Sequence, residues 1–292
     1  MPKIRINKKL KVSFQAWGLI LPSFAFLSLF TLFPILQTIY KSFFNESLSS
    51  VTAVFSGFAN YTSLLRDEVF LKAFVNNLIV AAAVIPLSIL LAVLMAVFAN
   101  SVRFGKAFVR VAYFYPTILP MIAVANIWLF IYTPQFGLVS LFSRTVNLLG
   151  NPKYVLPAII LMLIWKQAGY SMIFYLSGLQ NISGELYEAA QIDGAGPAAI
   201  FRRITWPLLK PTTLFVTIIT LTDVYKMVDY LYIMTKGGPN NSSNMLLYYI
   251  YQTGFDFWDV GKASAISTVL VIMLLTVSCI RFFSQDRKTF YS

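Results

Sequence analysis

Residues 16–40 contain no charged side chain, and five later stretches, 74–99, 109–132, 155–178, 208–234 and 263–283, are sparsely charged and nearly as apolar. Each is long enough for a helix, at 1.5 Å per residue, to cross a hydrocarbon core about 30 Å thick. Inside lipid the backbone must satisfy its own hydrogen bonds, so such runs fold as helices. The expected fold is an all-α membrane protein with six transmembrane helices.

The same apolar bias runs through the composition, which is 58% hydrophobic and 12% charged, where soluble domains carry about a quarter charged residues. Several function classes fall away with it. There is no histidine, which removes the commonest metal ligand and general base together. Cys279 is the single cysteine, so neither a disulfide framework nor a cysteine metal site is available. No Gly-rich loop ending in Lys-Ser/Thr is present to cradle a nucleotide phosphate. The chain is therefore expected to be non-catalytic, without a metal or cofactor of its own.

A net charge of +12 can signal nucleic acid, but in a membrane chain surplus Lys and Arg set topology. With the N-terminus in the cytoplasm, one side receives Lys3, Arg5, Lys8, Lys9, Lys11, Arg103, Lys106, Arg110, Arg202, Arg203, Lys210, Arg281, Arg287 and Lys288. The outer side receives Lys41, Arg66, Lys72, Arg144, Lys153, Lys236 and Lys262, half as many. Both termini are expected in the cytoplasm, and no nucleic-acid partner is expected. The first apolar run is too long for a cleaved signal peptide and reads as a retained helix. The outer segment 41–72 mixes polar and apolar residues and is expected to form a short amphipathic helix on the surface. The chain is read as an N-terminal part (1–71), a five-helix core (72–284) and a short tail (285–292).

One segment breaks the apolar pattern. "EAAQIDGAGPAAIFRRITWPLL" (188–209) packs acids, arginines, glycines and prolines between the fourth and fifth spans. Ser183 can cap a short helix whose first turn holds Glu185. Gly194 and Gly196 can adopt the left-handed conformation that ends a helix, and Pro197 is placed to begin a second one. Pro207 and Pro211 should break the chain before the fifth span. Local chemistry leaves two readings: a knob for a partner, with small residues allowing close approach, or an ordinary hairpin lying on the membrane.

The spacing resembles the EAA loop of permease subunits in binding-protein-dependent ABC importers: Glu-Ala-Ala, three residues, Gly, nine residues, then Ile, any residue, Leu-Pro. Glu188, Ala189, Ala190, Gly194, Ile204 and Pro207 match it, and Trp206 stands where the pattern has leucine. "GFANYTSLLRDEVFLKAFVNNLIV" with "IPLSILLAVLMA", "YIMTKGGP" (232–239) and "YIYQTGFDFWDVGKASA" are similar to the carbohydrate branch of that family. The resemblance implies a type I importer (MetI-like) domain in the bacterial inner membrane. It implies a second homologous permease, two ATP-binding subunits that hold ATP and magnesium, an extracytoplasmic solute-binding protein and a carbohydrate substrate. In that family the loop at 183–207 docks on the ATPase and transmits its closure.

Charges inside spans are functional-site candidates because lipid exposure is costly. Asp223, Lys226 and Asp229 recur every third residue with alternating sign, so on one helix they share an arc of about 120° and can pair. Comparison with maltose-type permeases points to Thr117 and Met121, to Lys166, Gln167 and Tyr170, and to Asp223, Val224 and Met227 as substrate pathway. "WKQ" (165–167) also resembles the sn-glycerol-3-phosphate branch, where a lysine would meet an anionic polyol or acidic sugar. The charges can instead hold helices together, and Asp229 is read that way. Trp17, Trp258 and Tyr291 read as interface aromatics. Asp256 and Asp259 have ligand-like spacing but read as solvated. The competing functions are an ion-coupled secondary transporter, using Asp223, Lys226 and Asp229 as a relay, and a membrane enzyme. The lack of an internal repeat counts against the first, and the lack of histidine against the second.

Overall fold

The computed structural model describes residues 3–47, 53–102, 104–142, 145–226 and 228–286. Among them four helices are long and apolar enough to cross a membrane: Ala16–Lys41, Glu68–Ser101, Val155–Gln180 and Val260–Ile280. Two further spans are bent pairs, which brings the total to as many as six. The chain divides into two compact units, Met1–Leu64 with Gln252–Val269, and Leu65–Tyr251 with Leu270–Ser292.

In the first unit, α1 (Lys3–Leu27) passes through a π-helical turn (Ser28–Leu32) into α2 (Phe33–Lys41). No residue of the apolar window in this helix is buried by the chain itself. Beyond it, the expected surface helix at 41–72 is replaced by an antiparallel hairpin, β1 (Phe44–Asn45) with β2 (Val54–Phe55), and a short α3 (Ala59–Leu64). Gly57, at φ +57°, turns the chain between them in a conformation that glycine adopts at no steric cost. The Asn60 amide then donates to the Ser42 and Phe44 carbonyls, both at 2.9 Å. The Gly261 N–H donates to the Glu46 carbonyl. A Cβ at Gly261 would collide with the Phe44 carbonyl, so only glycine permits that approach.

In the second unit, α4 (Glu68–Ser101) starts six residues before the expected 74. Its start is set by a cap: the Asp67 carboxylate accepts from the Val69 and Phe70 amides at 2.9 and 3.2 Å. This ends two of the orphan donors of the first turn. The buried stripe of α4 is small: Ala73, Val80, Val84, Ala92, Ala96 and Ala99. Lipid tails are as apolar as leucine, so close van der Waals packing drives helices together, and small residues allow it. The stripe meets α7 (Val155–Gln180), whose Ile159, Met162, Met172 and Tyr175 are fully buried. Two core clusters result, one around Val84, Ile159 and Tyr230, the other around Ala96, Tyr175 and Leu209.

The third span is not one helix. It is α5 (Lys106–Ile118) followed by α6 (Met121–Tyr132), at 98° to each other. Leu119 and Pro120 are extended, with ψ 132° and 145°. A residue before proline is pushed out of the helical region, and Pro120 takes Leu119 with it. A short 3-10 turn (Leu138–Leu141) lies in the connection to α7. After α7 come α8 (Gly184–Ile192), α9 (Pro197–Ile200), a π-helical turn (Phe201–Thr205) and α10 (Trp206–Leu208). The fifth span is also interrupted: α11 (Lys210–Lys226) stops and α12 (Asp229–Met234) starts, with Val228 outside helical geometry. The buried Asn76 amide donates to the Asn241 and Asn244 carbonyls, and Asn77 accepts from the Leu246 amide. These bonds tie the return segment to α4 just before α13 (Leu246–Tyr251). After a π-helical turn (Gln252–Asp256), α14 (Val260–Asp286) ends the described chain.

Candidate coupling segment and substrate pathway

The polar hairpin is built as its residues dictate. The Ser183 hydroxyl accepts from the Glu185 amide at 3.3 Å, and Glu185 occupies the first turn of α8. At the other end the Gly194 amide donates to the Gln191 carbonyl and the Ala195 amide to the Ala190 carbonyl. That pair of bonds is the Schellman arrangement, which needs a left-handed residue after the cap. Gly194 supplies it at φ +78°. Gly196, expected to share that role, is instead extended at φ −72° and precedes Pro197, the first residue of α9.

The break expected from Pro207 and Pro211 falls between them: the helix runs through Pro207 but ends at Leu208, and α11 leaves it at 64°. Ahead of Pro207 the turn widens so that the Trp206 amide reaches the Phe201 carbonyl. The Tyr187 and Thr205 hydroxyls, 3.3 Å apart, tie the two arms of the hairpin.

No residue of α8 is buried. Glu188, Ala189 and Gly194 are exposed, and Ala190, Ile204 and Pro207 are half-buried. Ile192 is 86% exposed, and a Cβ at Gly194 or Gly196 would meet nothing within 4 Å. The hairpin is thus a well-capped, rigid projection with an uncovered face of small and apolar residues.

The membrane charges sort differently from expectation. Lys166 is only 8% exposed. Its ammonium donates to the Pro116 carbonyl at 3.2 Å and the Leu119 carbonyl at 2.9 Å. The break at Pro120 strands those acceptors, and a cation is the natural partner for carbonyls at a helix C-terminus. Lys166 therefore holds the bend of the third span. The next residue, Gln167, donates to the Thr220 hydroxyl at 3.3 Å and the Asp223 carboxylate at 3.4 Å. The two neighbours on α7 thus tie it to different spans.

Met121 and Val224 sit in the same apolar core cluster. Thr117 lies beside Gly169, and its hydroxyl is buried without a protein partner, as is that of Ser171. Tyr170 is half-buried with its ring edge-on to Phe174. Asp223 is half-buried, whereas Lys226 and Asp229 are exposed. Among the described residues no ion pair joins these three; Asp223 and Lys226 share α11, whereas Asp229 opens α12 beyond the break at Val228. Met227 lies outside the described residues.

The reading of the sequence missed Thr220, which shares the Asp223 face three residues earlier, and the break at Pro120. The second was signalled by two prolines four residues apart, Pro116 and Pro120.

A helical bundle with interrupted spans, a polar cluster between two of them and a rigid uncovered hairpin defines a membrane-transport subunit. Residues 85–287 match the binding-protein-dependent transport system inner membrane component family, and the chain belongs to it. It is 32% identical to the sulfoquinovosyl glycerol transport system permease protein of Agrobacterium fabrum, over 90% of this chain and 87% of that one. It is 29% identical to the sn-glycerol-3-phosphate transport system permease protein of Yersinia pestis, over 96% of each. Its fold matches a crystal structure of a bacterial ABC transporter involved in the import of the acidic polysaccharide alginate. That likeness has TM-score 0.83 at 23% identity, over 98% of this chain and 100% of that one. The chain is a non-catalytic, multi-pass permease subunit of the inner membrane.

Proposed function

We propose that the chain is one half of the membrane pathway of an importer for a carbohydrate or a related polyol delivered by an extracytoplasmic binding protein. A second homologous permease and two ATP-binding subunits complete it. In this reading six spans leave both termini in the cytoplasm, as the two-to-one excess of Lys and Arg on that side supports. Segment 183–207 then projects toward the ATPases. Closure of the ATPases on nucleotide pushes the hairpin, and the helical turns through 201–208, which meet α11 at 64°, carry that movement into α11 and its Asp223 face.

The observation that carries the reading is the rigid, uncovered hairpin. Its exposed Glu188, Ala189 and Gly194, with Ala190 half-buried beside them, suit docking into a groove. The relatives named for sulfoquinovosyl glycerol and sn-glycerol-3-phosphate support a polyhydroxylated solute.

Within that class the pathway residues favour hydroxyl recognition. The Lys166 ammonium is committed to two carbonyls. Asp223, beside Gln167 and Thr220, offers acceptors for sugar hydroxyls, with Tyr170 as a nearby ring. An anionic polyol such as sn-glycerol-3-phosphate is the second reading, favoured by the name of the Yersinia relative; Lys226 would then be its cation.

The test is reconstitution of the whole assembly in vesicles with loaded binding protein. Glu188→Arg together with Gly194→Trp should leave ATP hydrolysis unresponsive to loaded receptor and abolish uptake. Normal uptake by that double variant, correctly inserted, would refute the docking role.

A further inference from the structure

The face of α11 opposite Asp223 lines an open groove of about 1080 Å³. Its walls are α4 from Leu78 to Leu94 and α11 from Thr213 to Tyr225, running antiparallel, and one end is closed by Phe201, Arg202 and Trp206. The seventeen residues of α4 along it span about 24 Å, more than the roughly 15 Å of hydrocarbon in a single leaflet.

The wall is apolar in effect as well as in composition. The Thr213 and Thr217 hydroxyls are spent on the Leu209 and Thr213 carbonyls of their own helix. The rims are large and uncovered, with Leu90 56% and Leu94 58% exposed. Among the described residues that line it, Arg202 alone is charged, at the end that the proposed topology puts at the cytoplasmic surface. An apolar trough about as long as an acyl chain, with a guanidinium only where headgroups lie, has the charge pattern of an anionic phospholipid. Its indole, Trp206, stands at the same level, where amphipathic rings favour the interface.

We propose that this groove seats an acyl chain of an anionic phospholipid whose phosphodiester rests on Arg202. The proposal relies on the transport reading only for the side of the membrane that Arg202 faces. The occupied groove touches Phe201, Arg202 and Trp206, the turn joining the coupling hairpin to α11. The lipid therefore stiffens the connection through which the hairpin moves that helix. A zwitterionic headgroup brings its own cation to the phosphodiester, which competes with Arg202 and weakens the pairing.

The experiment uses the complete transporter in vesicles of equal parts phosphatidylcholine and phosphatidylglycerol. A benzophenone side chain is placed at Leu90, and separately at Leu94, and the adducts are identified by mass spectrometry after illumination. Phosphatidylglycerol adducts should exceed phosphatidylcholine adducts about fivefold, the ratio equivalent to about 1 kcal/mol for one basic residue at the surface. Arg202→Gln should bring the ratio to parity, and Arg202→Lys should keep it. With Arg202 unsubstituted, rising potassium chloride should erode the preference, because an exposed charge is screened.

Parity in the parent protein would overturn the proposal. So would adducts carrying a peptide of the other permease, which would make the groove a subunit interface. Uptake is read separately in the same vesicles: a chain that captures the lipid but drives no uptake would refute the transport reading alone.

Discussion

Replacing Lys166 by methionine separates two roles that its position in a membrane span allows. In the structure its ammonium is the donor to the Pro116 and Leu119 carbonyls, at 3.2 and 2.9 Å, where the third span bends by 98°. Methionine has similar length and no donor, so both acceptors lose this partner. Hydrogen bonds to charged groups contribute about 1.5–3 kcal/mol each in soluble proteins. Polar contacts between membrane helices average nearer 0.6 kcal/mol.

Two bonds therefore bracket the loss at about 1–6 kcal/mol. Methionine also removes the cost of burying an ammonium, which draws the expected loss down to about 2 kcal/mol. For a chain of this size that corresponds to a fall in midpoint of roughly 3 °C. The assay is thermal unfolding of the purified assembly, read alongside uptake of a neutral sugar and an anionic polyol. The bend reading expects a lower midpoint, with both solutes affected alike. An unchanged midpoint with selective loss of the anionic solute would refute it and make Lys166 a substrate ligand.

Three further outcomes follow from the same geometry. Gly194→Ala forces a side chain into φ +78° and should cost about 1–2 kcal/mol locally, weakening ATPase stimulation. Gly196→Ala, at φ −72° with open space around it, should change neither stimulation nor midpoint; equal effects at the two positions would show that bulk matters and backbone does not. Gly169→Ala puts a Cβ against the Tyr113 carbonyl of α5, and overpacking of this kind costs about 1–3 kcal/mol, so the midpoint should fall by several degrees; an unchanged one would deny the close contact of α5 and α7. Asp223→Asn keeps an acceptor toward Gln167 but removes the charge, and should lower the affinity for a neutral polyol about tenfold, the difference between a charged and a neutral acceptor. Unchanged transport constants in vesicles would take Asp223 out of the pathway.

The hairpin was legible because its determinants are local. A capping serine, a glycine at the left-handed position and a proline opening the next helix act within a few residues, and Ser183, Gly194 and Pro197 all perform as expected. The spans were legible in number of apolar runs and illegible in continuity. Hydropathy averages over a window and does not register that Pro120 stops a helix while Pro86 sits inside one. The outcome depends on what receives the freed carbonyls. At the bend of the third span that receiver is Lys166, about 50 residues away in sequence, and no local pattern announces the pairing. Asp229 left the expected arc of Asp223 and Lys226 for a related reason: an i,i+3 argument holds only while the helix does, and the chain leaves helical geometry at Val228.

The pairing of Lys166 and Gln167 explains why a polar dipeptide persists in the middle of α7. Consecutive helical residues point about 100° apart, so one reaches the bend between α5 and α6 while the other reaches Thr220 and Asp223 on α11. A helix with a wholly apolar midsection would pack against both spans, yet it would satisfy neither the stranded carbonyls nor the half-buried carboxylate. Unsatisfied groups of that kind cost several kcal/mol each in hydrocarbon. The dipeptide thus lets one rigid helix accept two imperfect neighbours, an arrangement suited to spans that must carry polar groups. Exchanging the two residues tests this directly: Lys166→Gln with Gln167→Lys keeps composition and charge but aims each group at the wrong neighbour. The double variant should lose more thermal stability than Lys166→Met, and a midpoint equal to that of the parent would show that either order serves.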